Sequence, residues 1–127
     1  MMRKTLLASA VLALAAVGAY AADPPNWMRQ VTPGNLLDQA WGGYQAVYGG
    51  GALPAKTKQL IALGVAAQIP CTYCVAGHTQ AARAAGATDD EIREAVAVAG
   101  QVRMWSTMLN GNAYDMGRFQ EEISQRR

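Results

Sequence analysis

Apolar residues recur at helical spacing along most of this chain. The first segment of this kind starts at Thr32-Pro33, where a threonine N-cap precedes a proline at the first helical position, and extends to Tyr48. Its apolar positions recur at the spacing of one helix face: Leu36, Leu37, Ala40, Trp41, Tyr44 and Val47. The spacing predicts an amphipathic helix from about Pro33 to Tyr48, ended by the glycines at 49–51. The proline-rich lead at 23–26 is predicted to be extended or poorly ordered.

The middle of the chain predicts two more helices, which meet at Pro70. The segment after Leu53-Pro54 is apolar nearly all round, as a buried helix would be. Pro70 ends this helix and opens the next, which continues through an alanine-rich stretch to Gly86. Gly86 is a good residue for a left-handed C-terminal cap, so we expect the helix to end there.

The last part of the chain opens on a capping box. Thr88 and Glu91 have the spacing at which each side chain can bond the other's backbone N–H, and a long apolar stripe follows. A turn signal at 110–112 separates this long helix from a final, more polar one from Tyr114 to about Ser124. Because no alternating β-branched run occurs, we predict an all-α fold, a bundle of about five to six helices.

Residues 1–21 have the pattern of a secretory signal peptide. Two basic residues precede an apolar run over 6–17, and Ala19-Tyr20-Ala21 is a small-x-small cleavage pattern. The run is shorter than the ~20 residues that a membrane anchor needs. We predict cleavage near Ala21, one mature domain at 22–127, and a periplasmic or secreted protein that has no membrane attachment after cleavage.

Charge argues against two classes of partner. The chain carries 11 basic and 9 acidic residues, but cleavage would remove Arg3 and Lys4 and leave nine of each. A neutral mature chain with interspersed charges has no basic patch for nucleic acid or for a membrane surface. An exported protein also meets an oxidising compartment, where two cysteines can rest as a disulfide.

Both cysteines and the single histidine lie within residues 70–78. In a helix, Cys71 and Cys74 are an i, i+3 pair and Cys74 and His78 an i, i+4 pair, so the three side chains share one face. One interpretation is zinc, whose structural sites take four ligands where this chain offers three, unless an oligomer shares the site. A second is a structural disulfide, although so short a loop constrains the unfolded chain little.

Redox chemistry is the third interpretation, and it uses all three residues. A Cys-x-x-Cys pair at a helix N-terminus has its thiolate stabilised by unpaired amides and the helix dipole, which lowers the thiol pKa from ~8.5 toward neutral. His78, one turn beyond Cys74, is placed to act as a base for that thiol or to pair with the thiolate as imidazolium.

The motif and its surroundings resemble the carboxymuconolactone decarboxylase and alkylhydroperoxidase D-like (AhpD-like) superfamily. The similarity is carried by three segments: Lys56-x-Lys58-Gln59 with the apolar residues after it, Cys71-x-x-Cys74-x-x-x-His78, and Gly86-Ala87-Thr88-x-x-Glu91. It covers roughly residues 33–115 and is strongest over 54–102.

The peroxidase branch of that superfamily implies an AhpD-like helical fold that forms trimers or hexamers, with the Cys-x-x-Cys at a helix N-terminus. It implies that Cys74 attacks a hydroperoxide and becomes a sulfenic acid, that Cys71 donates a proton and closes the disulfide, and that His78 belongs to the proton relay. The implied partners are a hydroperoxide or disulfide substrate and a thiol reductant protein, which for an exported chain would be periplasmic. No cofactor is expected.

One position departs from the pattern of that superfamily. The family has a glutamate twelve residues before the first cysteine, where this chain has Gln59. An amide can bond a histidine or a water, but it cannot accept a proton or hold an imidazolium by charge. Because a positioned base typically contributes ~10²–10⁴-fold, a peroxidase without this carboxylate is expected to be slower. Alternatively, Gln59 is an ordinary exposed helix residue.

Two classes of function follow from the sequence. The first is an exported thiol-dependent peroxidase or thiol-disulfide oxidoreductase of the peroxiredoxin type. The second is a non-enzymatic helical binding or assembly module with a permanent disulfide. A carboxymuconolactone decarboxylase-type enzyme is a further alternative, although that branch generally does not depend on a Cys-x-x-Cys pair. A homo-oligomer is expected because apolar, alanine-rich helices in a short chain need cover.

Overall fold

All regular structure in residues 23–126, the part of the chain that the computed structural model describes, is helical. Six α-helices follow one another along these residues: α1 (Asn26–Val31), α2 (Leu37–Tyr48), α3 (Ala55–Gln68), α4 (Thr72–Ala84), α5 (Asp89–Gly111) and α6 (Met116–Ser124). These residues contain no strand, so the predicted all-α class is confirmed. None of their helices is long and apolar enough to cross a membrane. The predicted signal peptide at 1–21 lies outside the described residues.

The helix α1 was not predicted from the sequence. The carbonyl of Pro25 accepts the N–H groups of Met28 and Arg29 at 3.0 and 3.2 Å and so opens the first turn. The short helix packs on α2 and buries Met28. The expectation of an extended lead through Asn26 was therefore wrong at its end, because prolines that precede a helix also fit its entry.

Two helices begin later than predicted. Thr32 closes α1 through its N–H bond to the Met28 carbonyl and gives α2 no side-chain cap. The Gly34–Leu36 turn is a 3₁₀ helix, and α2 starts only at Leu37. Gly34 and Asn35 are poor helix formers, which accounts for the tighter first turn. At the other end of the chain, α6 starts at Met116, after the Asp115 carboxylate caps the Arg118 N–H at 2.8 Å.

The helix α3 is the centre of the fold and packs against both α4 and α5. The face it turns toward its neighbours carries Gln59, Leu63 and Ala66, which are all buried. At the end of α3, the Gln68 amide donates to the Ala99 carbonyl of α5 at 2.8 Å, and its oxygen accepts from Arg103 Nε at 2.6 Å. These contacts fix the helix that positions Gln59.

The opposite face of α3 is left uncovered by the other residues that the structure describes. Ile61, Val65 and Ile69 follow one another at four-residue steps and are 53, 56 and 62% exposed. The sequence pattern, apolar nearly all round, predicted a buried helix, and residues 23–126 do not bury this face. The apolar residues are present, but no helix among residues 23–126 packs over this row.

The predicted C-terminal cap of the cysteine helix is confirmed. Gly86 has a φ of +86°, in the left-handed region where a side chain is strained. Its N–H donates to the Arg83 carbonyl and the N–H of Ala87 donates to the Ala82 carbonyl, each at 2.9 Å. This pair of bonds is the Schellman arrangement, which closes α4 and turns the chain toward α5.

The predicted capping box is present at the start of α5. The Thr88 hydroxyl accepts the Glu91 N–H at 3.1 Å, and the Glu91 carboxylate accepts the Thr88 N–H at 2.8 Å. The other oxygen of Glu91 accepts from Lys56 Nζ of α3 at 2.7 Å. The Lys56 bond and the Thr88 bond together lower the pKa of Glu91. Lys56 therefore ties α3 to the start of α5.

Candidate active site

The two cysteines form a disulfide at the N-terminus of α4. Cys71 is the N-cap residue, and its Sγ accepts the N–H of Cys74 at 3.2 Å. Cys74 lies in the first turn, and the two Cα atoms are 5.2 Å apart. The predicted placement of the Cys-x-x-Cys pair at a helix N-terminus is thus confirmed, and the structure shows its oxidised form. Free backbone amides at such an end favour a thiolate after reduction.

His78 lies one turn further along α4 and is held by Gln59 from α3. His78 Nδ1 and Gln59 Oε1 are 2.8 Å apart. An amide oxygen only accepts, so Nδ1 carries the proton and Nε2 is left with its lone pair. Gln59 is 3% exposed. The interpretation of Gln59 as an ordinary exposed helix residue is therefore wrong, since it is buried against the histidine.

Tyr48 also contacts His78, and the sequence did not predict it as a site residue. Its hydroxyl oxygen lies 3.5 Å from His78 Nε2, and the two ring centroids are 5.4 Å apart. Tyr48 is the last residue of α2 and follows Trp41 and Tyr44 on one face of that helix. The spacing of the three aromatic residues marks a shared face, but the sequence does not show which residue that face meets.

Lys58 fixes the part of the backbone that carries Tyr48. Its Nζ donates to the carbonyls of Val47 and Gly49, each at 2.8 Å. A Cβ on Gly49 would lie 2.5 Å from the Gln45 carbonyl oxygen, so only glycine fits the end of α2 in this conformation. The residues on both sides of Tyr48 are therefore restrained by α3.

The two titratable groups that meet here are both kept neutral at pH 7. Burial lowers the pKa of His78 and raises the pKa of Tyr48, because desolvation disfavours each charged form. The ion pairs in the described part of the chain do not involve His78. A neutral imidazole with a free lone pair is the form that can accept a proton.

A mostly apolar pocket of about 460 Å³ leads to this group. Cys74, His78 and Tyr48 all line it, whereas Cys71 does not. Its apolar walls come from α2, α3 and the intervening loop: Val47, Leu53, Ile61, Ala62, Val65, Ala66 and Ile69. A molecule in the pocket would therefore meet Cys74 and not Cys71.

The zinc interpretation needs more ligands than this region supplies. Within residues 23–126 no group of three or more histidine, cysteine, aspartate or glutamate side chains lies as metal ligands would. Both sulfur atoms are joined to each other, and the Nδ1 atom of His78 bonds Gln59.

Residues 36–114 match the sequence model of the carboxymuconolactone decarboxylase family. The chain belongs to this family. The match covers most of the described helices, from the start of α2 to the end of α5, and includes all four predicted site residues. The resemblance read from the sequence is therefore confirmed.

The chain is similar to a curated protein and to a solved structure. It is 41% identical over 68 residues to "Uncharacterized protein 4 in cox locus" of Paracoccus denitrificans, a match that covers 54% of this chain and 61% of that protein. The crystal structure of the alkylhydroperoxidase AhpD core from Rhodospirillum rubrum superposes with a TM-score of 0.61 at 31% identity. That superposition covers 65% of this chain and 61% of the other. The chain thus spans about three fifths of each relative's length.

Proposed function

We propose that this protein is an exported thiol-dependent peroxidase or thiol-disulfide oxidoreductase that works through Cys74, Cys71 and His78. The observation that carries the proposal is the apolar pocket that reaches both Cys74 and His78, with Cys71 already bonded to Cys74 behind it. The structural likeness to an alkylhydroperoxidase core supports the same class of chemistry.

The first step takes place in the reduced protein. His78 Nε2 accepts the proton of the Cys74 thiol, and the thiolate attacks the terminal oxygen of a hydroperoxide. A sulfur–oxygen bond forms as the oxygen–oxygen bond breaks. The alkoxide that leaves takes the proton from His78 and departs as an alcohol. Cys74 is oxidised by two electrons to a sulfenic acid, and the hydroperoxide is reduced.

The second step closes the disulfide seen in the structure. Cys71 loses its thiol proton, and its sulfur attacks the sulfur of the Cys74 sulfenic acid. The sulfur–oxygen bond breaks as the disulfide forms, and the leaving hydroxide takes up that proton and departs as water. The 5.2 Å separation of the two Cα atoms already suits this bond. A dithiol protein then returns two electrons by thiol–disulfide exchange and restores both thiols. In an exported protein this reductant would be a periplasmic thiol protein.

Peroxide consumption by the reduced mature protein tests the proposal. We expect an alkyl hydroperoxide to be lost together with free thiols, and Cys74→Ser to abolish the fast phase of both. Cys71→Ser keeps the attacking thiol but not its partner, so it should accumulate a sulfenic acid that a dimedone probe traps. Thiol oxidation in the wild type no faster than in Cys74→Ser would contradict the proposal.

A permanent structural disulfide is the second candidate, favoured by the closed bond and by Gln59 at the place of the family's glutamate. The two candidates differ in the reduction potential of the Cys71–Cys74 couple. A structural bridge should lie below about −300 mV, whereas catalytic bridges lie at higher potentials. Equilibration with glutathione or dithiothreitol buffers measures the potential directly, and it needs no substrate.

We also propose that the working unit is a homo-oligomer, such as a trimer or a hexamer. The exposed apolar row of α3 supports this, because water-exposed apolar surface of that extent is usually covered by a partner. Carboxymuconolactone decarboxylase activity is not favoured by any single feature of the site, since the pocket leads to a cysteine pair.

A further inference from the structure

We propose that the hydroxyl of Tyr48 is the partner of His78 Nε2 in both protonation states of the ring and so positions it for proton transfer. The inference rests on the proposed function for its catalytic meaning, but the contact itself can be tested in the resting, oxidised protein. Tyr48 acts through His78, which makes it a positioning residue.

The two nitrogens of the His78 ring have different partners. Gln59 accepts the proton of Nδ1 at 2.8 Å and fixes that side. The other nitrogen, Nε2, faces the Tyr48 hydroxyl at 3.5 Å. A tyrosine hydroxyl both donates and accepts, so it can donate to Nε2 in the neutral ring and accept from Nε2–H in the imidazolium. Neither Gln59 nor an apolar wall residue can serve Nε2 in this way.

The distance fits a contact that tightens during the reaction. At 3.5 Å the pair is at the outer limit of a hydrogen bond, as is common for catalytic groups without a bound substrate. Bonds to an ionised donor are shorter and stronger than neutral ones. In the reduced protein the Cys74 thiol takes the place of this hydroxyl at Nε2 while its proton passes to the ring. The Tyr48 hydroxyl then accepts from the Nε2–H of the imidazolium, and this is the state in which the bond is expected to be strongest.

The surroundings hold Tyr48 in this place from two sides. Lys58 binds the carbonyls of Val47 and Gly49, on either side of Tyr48 in the chain. The ring of Tyr44 packs against the Tyr48 ring with centroids 4.7 Å apart. Restraint of the backbone by one helix and of the ring by another residue is the arrangement that a fixed hydroxyl needs.

Few other charged or titratable groups face His78 and could shift its pKa. The helices packed around it supply Tyr48 from α2, Lys58 from α3, and Cys74 from α4, and all three line the same pocket. The acids at the start of α5, Asp89 and Glu91, are bonded to Arg83 and Lys56.

Because His78 is the single histidine of the chain, its pKa can be read from one imidazole resonance in untagged protein. The oxidised form is used, so that no cysteine titrates. We expect Tyr48→Phe to lower the pKa of His78 by about half a unit to one unit, since the imidazolium loses a stronger bond than the neutral ring does. Tyr114→Phe removes a hydroxyl that bonds Glu122 and does not line the pocket, so it should leave that pKa unchanged.

An unchanged or raised pKa of His78 in folded Tyr48→Phe would overturn the inference. If Tyr48→Phe does not fold, the protonation of the His78 ring can still be measured in the wild type. Imidazole ¹⁵N shifts above the pKa should show the proton on Nδ1, and a proton on Nε2 would contradict the geometry. In turnover, Tyr48→Phe should lower the maximal rate of thiol oxidation by about tenfold. It should also move the acid limb of the pH profile to lower pH.

Discussion

At the scale of single residues, Gln59 determines which nitrogen of the histidine carries the proton. Its oxygen holds Nδ1 as a glutamate would, but without the negative charge that stabilises an imidazolium. With no carboxylate to oppose it, burial lowers the pKa of His78. The neutral ring that can accept a proton is therefore favoured. The imidazolium that forms when it does so is less stable than it would be beside a glutamate.

Gln59→Glu should reverse this balance. The new carboxylate would face Nδ1 inside the protein, and an opposite charge at this distance raises the pKa of a histidine, here by about one unit or more. The acid limb of the pH profile of hydroperoxide-driven thiol oxidation should move to higher pH by the same amount. Above that limb the maximal rate should rise, by no more than the ~10²–10⁴-fold range of a positioned acid–base group.

The matched control for this change is Gln80→Glu, which makes the same substitution at an exposed position of α4. Titration of the His78 resonance in both variants gives the answer without any substrate. A pKa of His78 that moves equally in the two variants would show that net charge, and not the contact with Gln59, sets it.

At the scale of helices, the sequence predicted the helix ends that depend only on neighbouring residues. The Gly86 cap and the capping box of Thr88 and Glu91 were both read from the sequence, because each depends on residues within one or two turns. The helix α1 was missed, and α2 was started too early at Pro33, because Thr32 closes one helix instead of opening the next. A local pattern does not show whether such a residue ends one helix or begins the next.

The site residues likewise fall into those that local spacing brings together and those that the packing of different helices brings together. Cys71, Cys74 and His78 share one helix, so spacing alone brought them together. The contact of Gln59 with His78 joins two helices, and resemblance pointed to the position without showing the bond. Tyr48 reaches the site from a third helix across 30 residues of sequence, and only the packing of α2 against α3 places it there.

Two glycines, one within α4 and one just after its end, should respond to alanine in opposite directions. Gly86 has a φ of +86° and open space around it, so Gly86→Ala costs only backbone strain, about 1 kcal/mol of unfolding free energy. Gly77 lies within the helix, also in open space, so Gly77→Ala should stabilise by about 0.5–1 kcal/mol. Urea unfolding measures both, and changes of the same sign would contradict the Schellman geometry of this cap.

At the scale of the whole molecule, the uncovered apolar surface and the site meet on α3. A second groove, of about 570 Å³, lies between α3 and α5, with Val98 and Val102 on the α5 side. Ile61 and Val65 line both this groove and the pocket that leads to Cys74. A second copy of the chain seated in the groove would therefore also close one wall of the pocket.

This shared wall makes assembly and reactivity testable together. By light scattering, we expect the mature protein to have a mass at least twice that of one chain. Val98→Asp would place an unpaired charge in the contact, which costs several kcal/mol if it stays buried, and should dissociate the assembly. Gln80→Asp adds the same charge at an exposed polar position and should not dissociate it.

The dissociated chain leaves Ile61 and Val65 open to water. The preference of its Cys74 for apolar hydroperoxides over hydrogen peroxide should therefore be smaller than in the assembly. A wild-type protein that is monomeric at moderate concentration would refute the assembly, and the α3 row would then have to be covered by a different partner.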